Sequence, residues 1–391
     1  MPARRVIFPF TNAKIGGSHV SSFTLGECLQ RDHGVEVVVA APQGSLICEV
    51  ARERGFTVWP LAEEPAFRHG LAAEARLLPS RLHLLGRQPP GTIVHNNDLS
   101  ALQSWGPAAR MRGLPVIYHN RACNRPVLPN LMVMALAQRI ICISRTVEER
   151  LPHWMARRSA LVDNPFELAS GQDQQALRQA LARDYTAVGE GGPLIGFIGN
   201  FAHRKRPRFF LEMAKAVLVH RPDATFVIFG REVDETQQDL ERHAAQLGIA
   251  NRVVFAGFRM PVEDNIAVLD LLAITALEEP LGRTPLEALL LGVPYVTTDD
   301  AGLGETGRRF GGGLLVPREA DPASFAKAVL EGLEHYDPTQ LAEARRHARE
   351  ALSARRHTER VMALYDELTS GFGRSKQFRD ALARLETPPS Q

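Results

Sequence analysis

The sequence is poor in cysteine, in net charge and in long apolar runs. The cysteines of the 391 residues form neither a CxxC pair nor a regular framework, and they are Cys28, Cys48, Cys123 and Cys142. We therefore expect reduced thiols that pack as small apolar groups in a cytoplasmic protein. The formal net charge of +2 is too small to favour nucleic acid as a partner. No uninterrupted apolar run approaches about 18 residues, so no membrane span is predicted.

What the sequence does have is an alternation of short apolar runs with helical patterns, which is typical of mostly parallel α/β sheets. The strands predicted in the first half are Arg5–Phe8, Val35–Ala40, Thr92–His95, Pro115–His119 and Arg139–Ile143. Those predicted in the second half are Leu194–Ile198, Thr225–Phe229, Val253–Ala256, Leu271–Thr275 and Tyr295–Thr298. We predict two Rossmann-like domains, over residues 1–168 and 169–352, followed by C-terminal helices over residues 353–391.

The most informative segment lies between Glu278 and Pro294 and reads Glu-Glu-Pro-Leu-Gly-Arg-Thr-Pro-Leu-Glu-Ala-Leu-Leu-Leu-Gly-Val-Pro. Thr284 and Glu287 have the spacing of a capping box, with a proline at the first helical position. Gly292 stands where a helix commonly ends in a left-handed residue. The segment therefore predicts a short helix that starts after a glycine-containing loop.

That helix, residues 285–291, is apolar nearly all round and is expected to be buried against a sheet. Its N-terminus would present backbone N–H groups at the strand ends, where open α/β sheets bind ligands and where anions are favoured. A capping box accounts for Glu287 but leaves unexplained Glu279, which lies eight residues earlier on a Pro-Leu-Gly loop.

This segment resembles the Glu-x7-Glu signature of the retaining glycosyltransferases of family four, the large glycogen-synthase-like class. The resemblance implies the GT-B fold, in which two Rossmann-like domains face each other across a cleft and a C-terminal helix returns to the N-terminal domain. It also implies that Glu279 contacts the transferred sugar and that Glu287 binds the nucleotide ribose. The loop residues expected to hold the sugar and phosphate are Leu281, Gly282, Arg283 and Thr284.

Further similarities follow in the family's order. The segment Ile-Gly-Phe-Ile-Gly-Asn-Phe-Ala-His-Arg-Lys that ends at Lys205 resembles the strand and loop that carry the cations for the donor diphosphate. Lys205 matches the family's lysine. The family's usual arginine is replaced by Asn200, and Arg204 is the candidate substitute.

The remaining similarities involve glycine loops and one histidine. Gly302-Leu-Gly-Glu305 resembles the loop whose amides lie near the donor diphosphate. The glycine pair that ends at Gly17 resembles the N-domain loop that approaches donor and acceptor. His119 ends a predicted strand, where the family often has a histidine that lines the sugar pocket. By this resemblance the catalytic residues are Lys205, Glu279 and His119.

The resemblance implies a nucleotide diphosphate sugar as donor, with retention of configuration and with neither a further cofactor nor a metal. The implied acceptor is a saccharide or a lipid-linked saccharide, by analogy in bacterial surface polysaccharide or lipopolysaccharide biosynthesis. Asp299 and Asp300 are interpreted as turn formers rather than as a metal site. The alternatives are a 2-epimerase or an inverting transferase on the same fold, or a catalytically silent module that binds a sugar nucleotide.

One stretch bears on the location of the protein. Between residues 68 and 87, arginines and a histidine interleave with leucines, as in basic amphipathic helices that lie on anionic lipid. An ordinary surface helix that packs its leucines inward fits the pattern equally, and Pro79 interrupts it. The expectation is a cytoplasmic protein with peripheral contact at the inner membrane.

Overall fold

The computed structural model describes residues 5–11, 15–62, 71–123, 125–166, 168 and 173–370. The strands are β1 (Arg5–Pro9), β2 (Glu36–Pro42), β3 (Thr57–Leu61), β4 (Thr92–Asn96), β5 (Val116–Asn120), β6 (Arg139–Cys142), β7 (Ser159–Leu161), β8 (Leu194–Ile198), β9 (Thr225–Phe229), β10 (Val253–Gly257), β11 (Leu271–Ile274), β12 (Tyr295–Asp299) and β13 (Gly313–Pro317). The helices are α1 (Gly17–His33), α2 (Leu46–Glu53), α3 (Leu71–Gly86), α4 (Leu99–Met111), α5 (Leu128–Met134), α6 (Arg145–Glu148), α7 (His153–Ala156), α8 (Gln174–Asp184), α9 (Pro207–Leu218), α10 (Gln237–Leu247), α11 (Val262–Ala267), α12 (Arg283–Leu291), α13 (Ala301–Phe310), α14 (Pro322–Glu334), α15 (Pro338–Ala351) and α16 (Ala354–Ser370).

The first of two compact units runs to Phe166 and resumes at Leu352. Its parallel sheet has the order β3-β2-β1-β4-β5-β6-β7, so the chain order reverses between β1 and β4. The sequence did not predict β3 or β7. Pro60 lies inside β3 and cannot donate to a ladder, but β3 is an edge strand, where proline is tolerated. β7 is only three residues long and lies at the other edge.

The second unit lies between these two parts of the chain. Its parallel sheet has the order β10-β9-β8-β11-β12-β13, which reverses between β8 and β11. All five strands predicted for this half are present to within one residue, because each is a largely buried run rich in apolar and β-branched residues. The prediction of two Rossmann-like parallel sheets is thus confirmed. The sequence placed the domain limits after residues 168 and 352. In the structure the chain leaves the first unit after Phe166 and re-enters it at Leu352.

The last described helix, α16, packs into the core of the first unit. Its residues Val361, Leu364 and Tyr365 are buried among the apolar side chains of that unit's sheet and helices. The prediction that the C-terminal helix returns to the N-terminal domain is therefore confirmed for α16, and the rest of the predicted helical stretch, 371–391, lies outside the described residues. All four cysteines are buried and none of them is in a disulfide bond, in agreement with their number and spacing.

The helix α3 carries most of the stretch proposed to contact lipid, and its packing favours the alternative, a surface helix that packs its leucines inward. Leu77 and Leu85 are buried, and the guanidinium of Arg81 lies 4.4 Å from the centre of the Trp105 ring on α4. Arg81 is buried and so is not available to a lipid surface, while Arg68 lies outside the described residues. Among the described residues, no helix has the length and apolar character needed to cross a membrane.

Candidate functional site

Two loops of the second unit meet where its chain order reverses. The strands β8 and β11 are parallel neighbours, with Leu271 paired to Ile195 and Leu272 to Gly196. Their carboxyl ends therefore lie side by side, and so do the loops that follow, which we call the β8 loop (199–206) and the β11 loop (275–282). This reversal is the position at which open α/β sheets bind ligands.

A carboxylate and two cations converge between these loops. The Nζ atom of Lys205 lies 2.7 Å from Oε1 of Glu279, and the same oxygen accepts a hydrogen bond from Nη1 of Arg204. The side chains of Glu279 and Lys205 are 12% and 16% exposed. Burial raises the pKa of Glu279, but the charges and hydrogen bonds of Lys205 and Arg204 outweigh it, so the pKa lies below its ordinary value. Glu279 is therefore ionised at neutral pH.

The backbone fixes the two loops to each other. The amide of Leu277 donates to the carbonyl oxygen of Arg204 at 2.8 Å, and the hydroxyl of Thr275 donates to the carbonyl oxygen of Lys205 at 2.9 Å. Both acceptors belong to the residues whose side chains meet Glu279. The cluster is thus held in place by main-chain contacts as well as by its own charges.

The helix α13 supports the β11 loop from its other side. The amide of Gly302 donates to the carbonyl oxygen of Glu279 at 2.9 Å, and the hydroxyl of Thr306 donates to the carbonyl oxygen of Leu281 at 2.8 Å. A Cβ atom at position 302 would lie 2.6 Å from the backbone of Leu281, so only glycine allows this approach. The amide of Gly302, which was expected near the donor diphosphate, therefore lies in the first turn of α13 and already donates to the β11 loop. Glu305 lies half-buried in the same helix.

Asp300, one of the two adjacent acids, also supports the β11 loop. Oδ2 of Asp300 accepts a hydrogen bond from the amide of Glu278 at 2.5 Å, and Oδ1 lies 2.6 Å from Nη1 of Arg318. Asp299 pairs with Arg308. Asp300 therefore supports the β11 loop, whereas Asp299 pairs with a residue of α13. Among the described residues no group of three His, Cys, Asp or Glu side chains could hold a metal ion. The ion pair with Arg318 was not predicted because that residue lies on a distant turn.

The start of α12 corrects the predicted capping box. The N-cap residue is Gly282, at φ 69°, so Thr284 is already the second residue of the helix and does not cap it. Oε1 of Glu287 instead lies 3.0 Å from Nη2 of Arg283, one turn earlier. With Gly282 in the left-handed conformation, the helix starts at Arg283, two residues before the predicted start at Pro285. At the other end Gly292 adopts φ 81°, as predicted.

The two candidates in the first unit differ in exposure. Gly17 is exposed at the first position of α1. His119 has no exposed surface and lies with Nδ1 3.3 Å from Nε2 of His95 and 3.3 Å from Nη2 of Arg121. Burial, and then the charge of Arg121, hold the pKa of His119 well below its ordinary value. The expectation that His119 lines a sugar pocket is not supported, because it is a neutral core side chain.

In the β8 loop, Asn200 is exposed, and its carbonyl oxygen accepts a hydrogen bond from the amide of Ala202. The cation that reaches Glu279 beside Lys205 is Arg204. The structure therefore brings together Arg204, Lys205 and Glu279, and it places Leu281 and Gly282 on the same loop as Glu279 and Arg283 at the first position of α12.

Residues 192–335 match the family model described as glycosyl transferases group 1. A 2-deoxystreptamine glucosyltransferase of Streptomyces kanamyceticus is 34% identical over 170 residues, which cover 42% of each chain. A lipopolysaccharide core biosynthesis mannosyltransferase, LpsB of Rhizobium meliloti, is 32% identical over 127 residues, which cover 31% of this chain and 36% of the relative. The chain thus spans less than half the length of these curated relatives.

The crystal structure of HepE from Anabaena in complex with UDP and glucose superposes with a TM-score of 0.73 at 19% identity. The superposition covers 91% of this chain and 97% of HepE. At this identity the likeness establishes the fold, which is the GT-B fold with its two Rossmann-like domains.

Proposed function

We propose that this protein is a retaining glycosyltransferase whose donor is a nucleotide diphosphate sugar. The match of residues 192–335 to the glycosyl transferases group 1 model supports the proposal. The observation that carries the proposal is the contact of Glu279 with Lys205 and Arg204 at the strand-order reversal of the second unit. The proposed acceptor is a saccharide or a lipid-linked saccharide of a bacterial surface polysaccharide. That part rests on analogy with relatives such as the lipopolysaccharide mannosyltransferase.

The two cations suit the leaving group of such a transfer. When the bond between the anomeric carbon and the diphosphate oxygen breaks, its electron pair stays on the diphosphate, and negative charge accumulates there. Lys205 and Arg204 would face this charge from positions that the loop backbones already fix. Preorganised donors of this kind contribute on the order of 3 kcal/mol each to transition-state stabilisation.

Retention follows if the acceptor attacks the face that the diphosphate leaves. The acceptor hydroxyl forms the new bond to the anomeric carbon, and its proton passes to the departing diphosphate oxygen. This route needs no carboxylate nucleophile, and Glu279 remains free to accept hydrogen bonds from sugar hydroxyls. Before the donor binds, the carboxylate neutralises the cations that later face the diphosphate.

The experiment that tests the proposal is a panel of sugar nucleotides, followed by product analysis. A cognate donor at 100 times its Kd should add about 2.7 kcal/mol to the free energy of unfolding. The anomeric configuration of the product, read by NMR, should equal that of the donor. An inverted product, or epimerisation without transfer, would identify one of the other nucleotide-sugar enzymes. Failure of every donor to stabilise the protein would contradict the proposal.

We expect transfer to continue in the presence of a metal chelator. The charge on the diphosphate is met by the side chains of Lys205 and Arg204 and by N–H groups in the first turn of α12, so a divalent ion is not required. Initial rates with and without excess EDTA should agree within about twofold. A complete loss of activity that Mg²⁺ or Mn²⁺ restores would contradict this expectation.

We expect Glu287→Ala to weaken donor binding rather than the chemical step. If the carboxylate holds the ribose, its removal should raise the Kd of the nucleoside diphosphate and of the donor equally, by about tenfold, as for one charge-assisted hydrogen bond. Because Glu287 pairs with Arg283 and does not cap α12, the free energy of unfolding should fall by less than about 1 kcal/mol. Calorimetric titration and thermal melts measure both quantities. A reduced kcat at saturating donor would contradict this prediction, because it would mean that Glu287 contributes to the chemical step.

A further inference from the structure

A cavity of about 410 Å³ opens in the first unit beside the reversal of its strand order. The residues that follow β4, Asn97 and Asp98, line one side of the cavity, and those at the end of β5, Asn120 and Arg121, line another. Ser18, in the first turn of α1, also lines it. The cavity therefore has the same topological position in its sheet as the Glu279 cluster has in the second sheet, which is where parallel sheets bind ligands.

One wall residue points to a ligand. Asn97 is 2% exposed, and neither its Oδ1 nor its Nδ2 atom has a hydrogen-bond partner among the described residues. A buried amide without partners is destabilising, and native proteins rarely retain one without a functional reason. A polar ligand in the cavity would supply the missing acceptor and donor.

A second asparagine is oriented by its neighbours. Oδ1 of Asn120 accepts hydrogen bonds from the hydroxyl of Tyr118 and from the amide of Ala122, each at 3.2 Å. Because the oxygen accepts both bonds, the group that Asn120 offers a ligand is its N–H donor.

The charged side chains that line the cavity favour a negatively charged ligand. Three arginines, Arg121, Arg125 and Arg150, line it, against the single carboxylate of Asp98. Arg121 is fixed by a 2.6 Å hydrogen bond from Nη1 to Oδ1 of Asn164. Within the part of the chain that the structure describes, neither Arg125 nor Arg150 pairs with a carboxylate. Asp98 caps α4 by accepting from the amide of Ala101 at 2.8 Å, and its remaining lone pairs suit a hydroxyl.

We propose that this cavity binds the acceptor, and that the acceptor is a sugar carrying a carboxylate or a phosphate group. Arg125 and Arg150 would hold the anionic group, Asn97 and Asn120 would hydrogen-bond to it or to the ring, and Asp98 would accept from a sugar hydroxyl. The inference rests on the proposed function, because it assigns the acceptor role to this cavity. It adds the chemical class of the acceptor to that function.

The test measures the binding of three probes, glucuronate, glucose 6-phosphate and glucose, to the whole protein by titration calorimetry. We expect the anionic sugars to bind at least about tenfold more tightly than glucose. Arg125→Gln and Arg150→Gln should each weaken binding of the anionic sugars about tenfold and leave that of glucose unchanged. Arg110→Gln, on the exposed far end of α4, is the matched control and should bind all three like the wild type.

The preference between glucuronate and glucose 6-phosphate distinguishes a carboxylate from a phosphate acceptor, and either preference supports the proposal. Glucose binding as tightly as both anionic sugars would overturn it, as would unchanged affinities in Arg125→Gln and Arg150→Gln. Sugar-nucleotide binding is measured on the same variants and should equal that of the wild type. If the wild type binds anionic sugars but no sugar nucleotide, the proposed function fails, whereas the anion site stands.

Discussion

Lys205→Ala is expected to lower kcat by at least about a hundredfold at saturating donor. The ammonium group lies 2.7 Å from Glu279 in a loop whose backbone is tied to the β11 loop, so it is positioned before the donor arrives. Its loss removes a fixed positive charge from the leaving diphosphate, which is worth about 3 kcal/mol in the transition state. Single-turnover rates with the donor selected by the panel measure the effect.

The same substitution should leave the protein folded. Arg204 still pairs with Glu279, and the backbone bonds between the loops do not involve the lysine side chain, so the free energy of unfolding should fall by only about 1 kcal/mol. The matched control is Lys215→Ala, which removes an exposed lysine from α9 in the same domain and should have wild-type kcat. Turnover of Lys205→Ala close to that of Lys215→Ala would show that the leaving group is stabilised elsewhere.

The sequence predicted the positions of these loops for physical reasons that the structure makes explicit. Buried apolar runs mark β8 and β11, and parallel pairing then brings their carboxyl ends together. Lys205 and Glu279 follow these strands, and the resemblance to the family assigned both of them to the donor site. Their direct contact was not predicted, because it depends on the backbone bond from Leu277 to Arg204, which no spacing in the chain reveals.

Other features depended on backbone conformation or on partners distant in sequence. The capping box failed because Gly282 adopts a positive φ, which glycine permits but does not require. The support of the β11 loop by Asp300 and Arg318 joins three separate segments. His119 was expected to line the sugar pocket because it ends a predicted strand at which the family often has a histidine. Its burial could not be predicted from the sequence, because it depends on the packing of α16, whose His357 ring stacks on that of His119.

Glu279→Gln is expected to separate sugar transfer from nucleotide binding. Glutamine keeps the shape of the side chain and removes its charge, so Lys205 and Arg204 lose the partner that neutralises them in the free enzyme. A nucleoside diphosphate without a sugar should then bind as tightly as in the wild type, or up to about tenfold more tightly, since one internal charge no longer competes. The sugar loses a carboxylate acceptor whose hydrogen bonds strengthen as positive charge develops at the anomeric carbon. We therefore expect kcat to fall at least about a hundredfold.

The neighbouring acid provides the control, because Glu278→Gln changes the same type of residue one position away. The side chain of Glu278 is 60% exposed and lies 3.7 Å from Arg318, away from the two cations, so both kcat and diphosphate affinity should remain at wild-type values. If Glu279→Gln lowers kcat and raises the affinity for the diphosphate, while Glu278→Gln changes neither, then the carboxylate of Glu279 binds the sugar and competes with the diphosphate for the two cations. Weaker diphosphate binding in Glu279→Gln would instead mean that Glu279 positions Lys205 and Arg204 for the phosphate. In that case the effect of Glu279→Gln on diphosphate affinity should not add to that of Lys205→Ala or of Arg204→Gln, because the three side chains would act as a unit.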